Sequence, residues 1–391
     1  MSTTSEQKQD SRPTAQHNCV GIIGGGQLAL MLGQAAKTMG LEIDIIDPDP
    51  QAPATGIARQ HIVAPLDDAA ALSQLAAQTD VLTIEIESVG IEQLQALAAE
   101  GHTIYPDPDE LALLVNKLHQ KRTLQQLGLP TSRFVELPRP SRKAVQAFGL
   151  PCVQKLQRGG YDGRGVQILR SASDLDQLLD GPSLLEAFVP CRAELAVVVA
   201  RSIDGKVASY APTELIFDSQ LNVLDALVAP ARLPDAICQA ARALAEETIS
   251  RVDAIGVHAV ELFLSTDDTL LVNEISPRVH NSGHHSIEAC TTSQFEQQLR
   301  IVTGRALGST AQQHPAAMVN ILGEPGSSGP THVDGLDAVS HMPGVHVHLY
   351  GKQSSRPGRK MGHITALDPD PDQALARARQ ARGLIRVRGE H

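Results

Sequence analysis

The sequence predicts an α/β protein assembled from two or three packed units. Its 391 residues exceed what one core usually organises, since domains commonly run to about 100–200 residues. From Cys19 onward an apolar strand, a glycine turn, a helix and a second strand follow one another, as in a parallel α/β sheet. Past 137–142, where two prolines read as a linker, the chain turns β-rich around a glycine loop.

Residues 1–18 are polar, lack the apolar centre of a secretory signal, and are expected to form a disordered leader. CVGIIG supplies the first strand, the stretch opening GGQLALML the first helix, LEIDIID the next strand, and DVLTIEIE at 80–87 a further strand of the same sheet. Helices are expected near 109–115 and 117–127, the second stopped by Gly128 with Pro130 beyond it. PCVQKL opens the β-rich unit, which continues through the loop at 158–165, VQIL, SLLEAFV and ELAVVVARS. A long helix at about 234–250 leads to paired strands at 257–264 and 269–275, and a helical stretch near 293–303 follows. Beyond the Gly- and Pro-rich 323–330, VHVHLYGK and RPGRKMGH form a terminal module.

Composition narrows the function. The 33 basic and 44 acidic residues leave a formal charge of −11, which disfavours non-specific binding to nucleic acid or anionic lipid, so any phosphate site must be local. No run approaches the roughly 20 apolar residues of a membrane helix. Cys19, Cys152, Cys191, Cys238 and Cys290 are scattered without a Cys-x-x-Cys pair. Neither a zinc site nor a disulfide framework is indicated, and a reducing cytoplasm fits best.

Gly24, Gly25 and Gly26 lie between strand and helix, and Asp47 ends the next strand about 20 residues on, an arrangement shared with dinucleotide sites. Any strand-to-helix turn facing a polar ligand wants such glycines, so a dinucleotide, another small ligand and a structural turn all stay open. The loop Gly159, Gly160, Tyr161, Asp162, Gly163, Arg164, Gly165 has four glycines in seven residues, and its backbone can fold over an anion. Lys155, four residues earlier at the end of an apolar strand, can reach the same phosphates. The spacing is not that of a P-loop.

Two carboxylates carry the sharpest deduction. Glu261 in VHAVELFL and Glu274 in LLVNEI flank the turn signal Ser265-Thr266-Asp267-Asp268-Thr269. A hairpin symmetric about Asp267 and Asp268 pairs 264 with 271 and places Glu261 opposite Glu274, unless a bulge intervenes. Like charges directly opposed destabilise a ladder, and a cation between them removes that cost. Magnesium, shared with nucleotide phosphates, is the economical choice. Ser276, Pro277, Arg278, His280, Asn281, Ser282, Gly283 and His284 follow at once, a run of donors suited to a small planar anion that Arg278 can grip with two hydrogen bonds. Lys352, Arg356, Arg359 and Lys360 put four cations within nine residues, a natural phosphate site.

Together these residues resemble the ATP-grasp enzymes and, most closely, the N5-carboxyaminoimidazole ribonucleotide synthase family, ATP-dependent, biotin-independent carboxylases of purine synthesis. The resemblance covers nearly everything from Val20 to about Leu367. Its most specific segments are GGGQL, GGYDGRG, NEISPRVHNSGHHSIEAC and YGKQSSRPGRKMGH. It implies an ATP-grasp fold: a parallel pre-ATP-grasp domain over 19–116, an ATP-grasp domain over 117–310 with a lid at about 132–190, and a C-terminal module over 311–391. ATP would be held by Lys117, Lys155 and the 159–165 loop, by Glu186, Ala187, Phe188 and Val189 at the adenine, by Glu194 at the ribose, and by Asn273 and Glu274. Glu261 and Glu274 would bind magnesium, with manganese as a substitute.

The resemblance further implies bicarbonate at Arg278, His280, Asn281 and Ser282, and 5-aminoimidazole ribonucleotide in a pocket completed by Gln27, Leu28, Glu85 and Glu87, its phosphate on Arg356, Arg359 and Lys360. Asp162, Arg164, Arg278 and Lys352 would form the catalytic set. Bicarbonate would attack the γ-phosphoryl group of ATP to give carboxyphosphate, which delivers carboxylate or carbon dioxide to the exocyclic amine. A cytoplasmic homodimer is implied, with no nucleic-acid or membrane partner. Two departures stand out. Asn116 and Lys117 replace the family's common Asp-Arg, keeping charge but losing the guanidinium fork. The segment TELIFDSQL stands where an Asn and a His are often found. Another ATP-grasp ligase, a catalytically silent nucleotide-binding protein and a dehydrogenase are the competing readings.

Overall fold

The computed structural model describes residues 17–159, 165–217 and 224–389. Among these, the N-terminal unit is a parallel five-stranded sheet in the order Gln60–Ile62, Glu42–Ile46, Cys19–Ile23, Val81–Ile84, Ile104–Tyr105. Helix Gln27–Met39 buries Leu28, Met31, Leu32 and Ala36, the repeat of one helical face, and stops at Gly40 in the left-handed region, φ 69°. Gly33 lets this helix lie close to the sheet, because a Cβ there would come within 2.7 Å of Ile43 and Ile57. The strand expected over 80–87 ends at Ile84, and Glu85 turns its carboxylate into the glycine turn instead.

Helices Pro108–Val115 and Lys117–Gln126 bridge to the rest of the chain. Asn116 separates them and caps the second, its Oδ1 accepting from the N–H groups of Leu118 and His119 at 3.0 and 3.1 Å. A separate antiparallel sheet follows, ordered Phe134–Leu137, Ser183–Ala187, Cys152–Leu156, Val166–Leu169. It has its own small core of Leu137, Val145, Phe148, Cys152, Leu169, Leu175 and Leu185. A nine-stranded sheet forms the body. It begins with the hairpin Leu270–Ser276 and Gly256–Ser265, passes through Cys191–Arg201, Thr213–Phe217 and Leu224–Ala229, and ends in Ala316–Leu322, Lys360–Leu367 and Val345–Leu349. The C-terminal strands thus extend the sheet that carries the paired glutamates.

One hydrophobic cluster ties the units together. Leu28, Ala29 and Leu32 of the first helix, Phe295, Leu299 and Val302 of helix Gln294–Val302, Val198 and Ala259 of the large sheet, and Tyr350 all belong to it. Beside it runs a buried stack of histidines. His348 lies flat on His363 with ring centres 4.4 Å apart, and His284 is tilted against His363 at 4.7 Å. His348 Nε2 bonds Glu288 at 2.6 Å and His363 Nδ1 bonds the Tyr350 hydroxyl at 3.0 Å. Burial, then the neighbouring rings, depresses the basicity of His284 and His363, so these two rings are neutral.

Buried neutral histidines make folding pH-dependent. Burial lowers His285 from 6.5 to about 4. The unfolded chain therefore takes up that proton first, and stability is lost as pH falls from 6.5 toward 4. Relative to a His285→Asn variant, the wild type should lose about 2 kcal/mol between pH 7 and pH 5, at a slope of at most about 1.4 kcal/mol per pH unit. Chemical denaturation at both pH values measures this, and parallel pH dependence in the two proteins would refute it.

Candidate nucleotide and metal site

The hairpin places Glu261 opposite Glu274, by a different route from simple symmetry. Leu264 pairs with Leu270, not Leu271, because the turn closes as Ser265 opposite Thr269, with Asp268 in the left-handed region at φ 61°. The register then shifts between Glu261 and Leu262, leaving Asn273 as an extra residue, and this bulge restores the Glu261–Glu274 pair. On the neighbouring strand Ala196 pairs with Glu261 and Glu194 with Phe263, so Glu194 shares the face on which Glu261 lies.

The electrostatics follow from crowding. Burial, then the carboxylates of Glu274 and Glu194, push Glu261 up to about 8. Lys117 forms an ion pair with Glu274 and holds that carboxyl down at about 2. The Asn-Lys departure therefore supplies both a cap and the cation that reaches the acidic hairpin. Burial raises Glu194, opposed by Lys155. Two half-buried, opposed carboxylates, one kept protonated by desolvation and then by its acidic neighbours, form a donor set that fits magnesium, whose remaining ligands are waters and phosphate oxygens.

Lys155 donates to Asn273 Oδ1 at 2.8 Å and lies 3.1 Å from Glu186 Oε1. Gly159 and Gly165 bracket the glycine loop; the expectations for Gly160, Tyr161, Asp162, Gly163 and Arg164 lie outside the described residues. Ala187 ends the strand from Ser183, its N–H bonding Arg133 O at 2.8 Å; Phe188 lies under the Arg170 guanidinium, and Val189 O accepts from Cys191. Of the second departure, Glu214 is gripped by Arg232 at 2.6 and 2.8 Å, Leu215 is buried, and 218–221 lie outside the described residues.

The donor-rich run from Ser276 continues from the same strand. His280 Nε2 comes within 3.9 Å of Glu261 and its Nδ1 bonds Ser282 Oγ at 2.9 Å. Arg278 Nε lies 2.8 Å from Glu87. Both polar atoms of the Asn281 amide are buried with no hydrogen-bond partner among the described residues, an arrangement that calls for a polar ligand. One loop thus borders both the paired glutamates and the end of the parallel sheet.

At that end the glycine turn already has its anions. Glu85 accepts from the N–H groups of Gly26, Leu28 and Ala29 at 3.0, 3.2 and 3.3 Å, and Asp47 accepts from Gly25 at 2.7 Å. A Cβ on Gly24 would meet Glu85 at 2.4 Å, and Gly24 itself has φ 103°. The helix terminus that a dinucleotide pyrophosphate would need is filled by protein carboxylate. Gln27 and Leu28 begin the helix beside it. Lys352 Nζ bonds Lys360 O at 2.8 Å, Arg359 donates to Ser354 O at 2.7 Å, and burial followed by Arg356 lowers Arg359 while Asp49 of the parallel unit opposes them. Of these cations, Arg359 thus feels the charge of Asp49 on the N-terminal unit.

Sequence reasoning passed over Gln120 and Lys121. Gln120 exchanges two hydrogen bonds of 2.9 Å with the backbone of Ile275, fixing its helix to the metal strand. Lys121 Nζ lies 3.0 Å from Glu186. The available signal was Lys117 and Lys121 four apart on one helix, a repulsive spacing unless both face carboxylates.

Paired carboxylates on an antiparallel hairpin, faced by a lysine from a separate small sheet and another from a bridging helix, define an ATP-grasp protein. The ATP-grasp domain family matches residues 122–295, the ribonucleotide synthetase preATP-grasp domain 17–115, and the phosphoribosylaminoimidazole carboxylase C-terminal domain 316–377. The N5-carboxyaminoimidazole ribonucleotide synthase of Synechococcus elongatus is 44% identical over 374 residues, covering 94% of this chain and 93% of its own. The crystal structure of the Thermotoga maritima synthetase superposes with a TM-score of 0.88 at 38% identity, over 95% of this chain and 100% of that one. That of the Aspergillus clavatus synthase in complex with ADP and 5-aminoimidazole ribonucleotide gives 0.86 at 31% identity, over 94% and 98%. The chain belongs to the N5-carboxyaminoimidazole ribonucleotide synthase family.

The two glutamates should respond differently to neutralisation. In chelator-treated protein near pH 7, Glu261→Gln replaces a carboxyl that is already largely protonated and should leave the melting temperature nearly unchanged. Glu274→Gln strands Lys117 and should lower it by several degrees. Equal effects in calorimetry would overturn this charge assignment.

Proposed function

We infer that the protein carboxylates 5-aminoimidazole ribonucleotide to N5-carboxyaminoimidazole ribonucleotide with ATP and bicarbonate, in purine biosynthesis. The observation that carries this reading is that one hairpin and the loop leaving it bear both sets of groups: Lys155 bonds Asn273, Glu274 pairs with Glu261, His280 comes within 3.9 Å of Glu261, and Arg278 lies 2.8 Å from Glu87. It puts a nucleotide-phosphate grip and an anion-binding loop side by side, as transfer from ATP to bicarbonate requires.

Lys155 and Lys117 bind and orient the phosphates. Glu261 and Glu274 would hold magnesium, or manganese in its place, which supplies charge to stabilise the transferring phosphoryl group. Arg278, His280, Asn281 and Ser282 orient bicarbonate for attack on the γ-phosphoryl group. The resulting carboxyphosphate gives up its carboxyl carbon to the exocyclic amine of the ribonucleotide, with inorganic phosphate leaving as the C–N bond forms and the amine losing a proton; the ribonucleotide is held between Glu85, Glu87, Gln27 and the cations Lys352, Arg356, Arg359 and Lys360. The small sheet acts as a lid that keeps water from the labile anhydride. The same reading assigns Asp162 and Arg164 to the catalytic set, the domain limits to 116/117 and 310/311, and a homodimer working in the cytoplasm. Among the described residues no helix is long and apolar enough to cross a membrane.

ADP release measured with ATP, magnesium and bicarbonate should require the ribonucleotide and vanish in Glu274→Ala; turnover indifferent to the ribonucleotide would refute the acceptor. Metal binding must expel the proton that Glu261 retains up to about pH 8. The apparent magnesium requirement should therefore rise by up to about tenfold per unit as pH falls below that value. A magnesium requirement that is flat from pH 6 to 8 would contradict it.

A further inference from the structure

Lys121 has no part in the nucleotide grip described above, yet its ammonium lies at the joint where four segments meet. It is buried, as is Glu186, with side-chain exposures of 3% each. It bonds Thr131 Oγ1 at 2.8 Å and Ser132 Oγ at 3.1 Å, where the chain enters the small sheet, and lies 3.5 Å from Val272 O on the metal strand. Thr131 Oγ1 donates to the same Val272 carbonyl at 2.7 Å, and Val272 N–H bonds Pro130 O at 2.8 Å. Glu186 lies on Ser183–Ala187, the strand that leads out of the small sheet. Entry to the lid, exit from it, the bridging helix and the metal hairpin are thus joined at one charged group.

The charge count around Glu186 gives that group a second role. One carboxylate stands between two ammonium groups, Lys121 at 3.0 Å from Oε2 and Lys155 at 3.1 Å from Oε1, and Ser132 also donates to Oε2 at 2.7 Å. Burial alone would raise Glu186, but Lys155 and Lys121 override it and hold it down at about 2. A buried charge is costly unless paired, and one lysine would have sufficed to pair it. With two, these three groups keep one positive charge in surplus, on the side where Lys155 faces Asn273.

We propose that Lys121 is a positioning residue that neutralises Glu186 from behind, so that the charge of Lys155 remains available to nucleotide phosphate while the lid root stays fixed to the metal hairpin. Without Lys121, Lys155 and Glu186 close into a neutral pair, and phosphate must compete with Glu186 for the ammonium. This deepens the functional reading above and rests on it only for the identity of the nucleotide.

The test is direct titration of a fluorescent ATP analogue with magnesium, without ribonucleotide, alongside the KM for ATP and kcat. Lys121→Met should weaken nucleotide binding and raise the KM for ATP by about tenfold or more, with kcat and the KM for the ribonucleotide little changed. The Glu186 carboxylate is turned onto the two lysines, which leaves its backbone for the adenine contact expected of it, so Lys121→Met combined with Glu186→Gln removes both charges, frees Lys155, and should recover binding to within about threefold of wild type. Wild-type affinity in the single variant, or a double variant no tighter than the single, overturns the proposal, since a purely structural pin would not be repaired by a second substitution. If the single variant does not fold, a folded double variant within threefold supports the proposal, and one weaker by more than about tenfold overturns it. Loss of ribonucleotide dependence with these binding shifts intact would instead refute the acceptor reading.

Discussion

Glu261 and Glu274 repel each other across a buried ladder, and much of the surrounding architecture compensates for that repulsion. One of the pair stays protonated and the other takes Lys117 as its counter-charge. Glu194 adds a third carboxylate to the same face. A sheet carrying such a cluster holds together only with cations supplied from outside it, and the chain brings them from the helix Lys117–Gln126 and from the strand Cys152–Leu156 of the small sheet. The need for compensation also explains why those two elements converge on this hairpin.

The same logic operates with opposite sign at the N-terminal sheet. There the helix Gln27–Met39 presents unpaired N–H groups, and Glu85 and Asp47 satisfy them. Burial raises the Glu85 carboxyl, opposed first by the Gly26 N–H and then by Arg278, which sits on the loop after the Glu274 strand and pairs with Glu87. The anion loop is therefore held from both sides, by the hairpin it continues and by the acidic end of the parallel sheet. Behind it the stack of His284, His363 and His348 fixes the C-terminal strands, and with them Lys352 and Lys360, against the loop.

Much of this was legible in the chain itself. Apolar runs and glycine turns located the strands Cys19–Ile23 and Glu42–Ile46, and Gly128 stopped the second bridging helix, because backbone propensity and periodicity act over neighbouring residues. The facing glutamates were legible too, although the turn closed one residue out of the symmetric register and the bulge at Asn273 made up the difference. Two local irregularities cancelled, and neither has a pattern that spacing alone reveals.

By itself the sequence determined which residues could carry charge, where the chain had to turn, and that two carboxylates would share one face of a hairpin. These follow from covalent order and short-range sterics. Tertiary structure alone decided that Glu85 fills the helix terminus from 59 positions away, and that Lys121 and Lys155 share Glu186. It also decided that the C-terminal strands extend the central sheet. Desolvation and charge pairing depend on which distant groups are brought within a few ångströms in a medium of low polarity, and only the folded chain sets those distances.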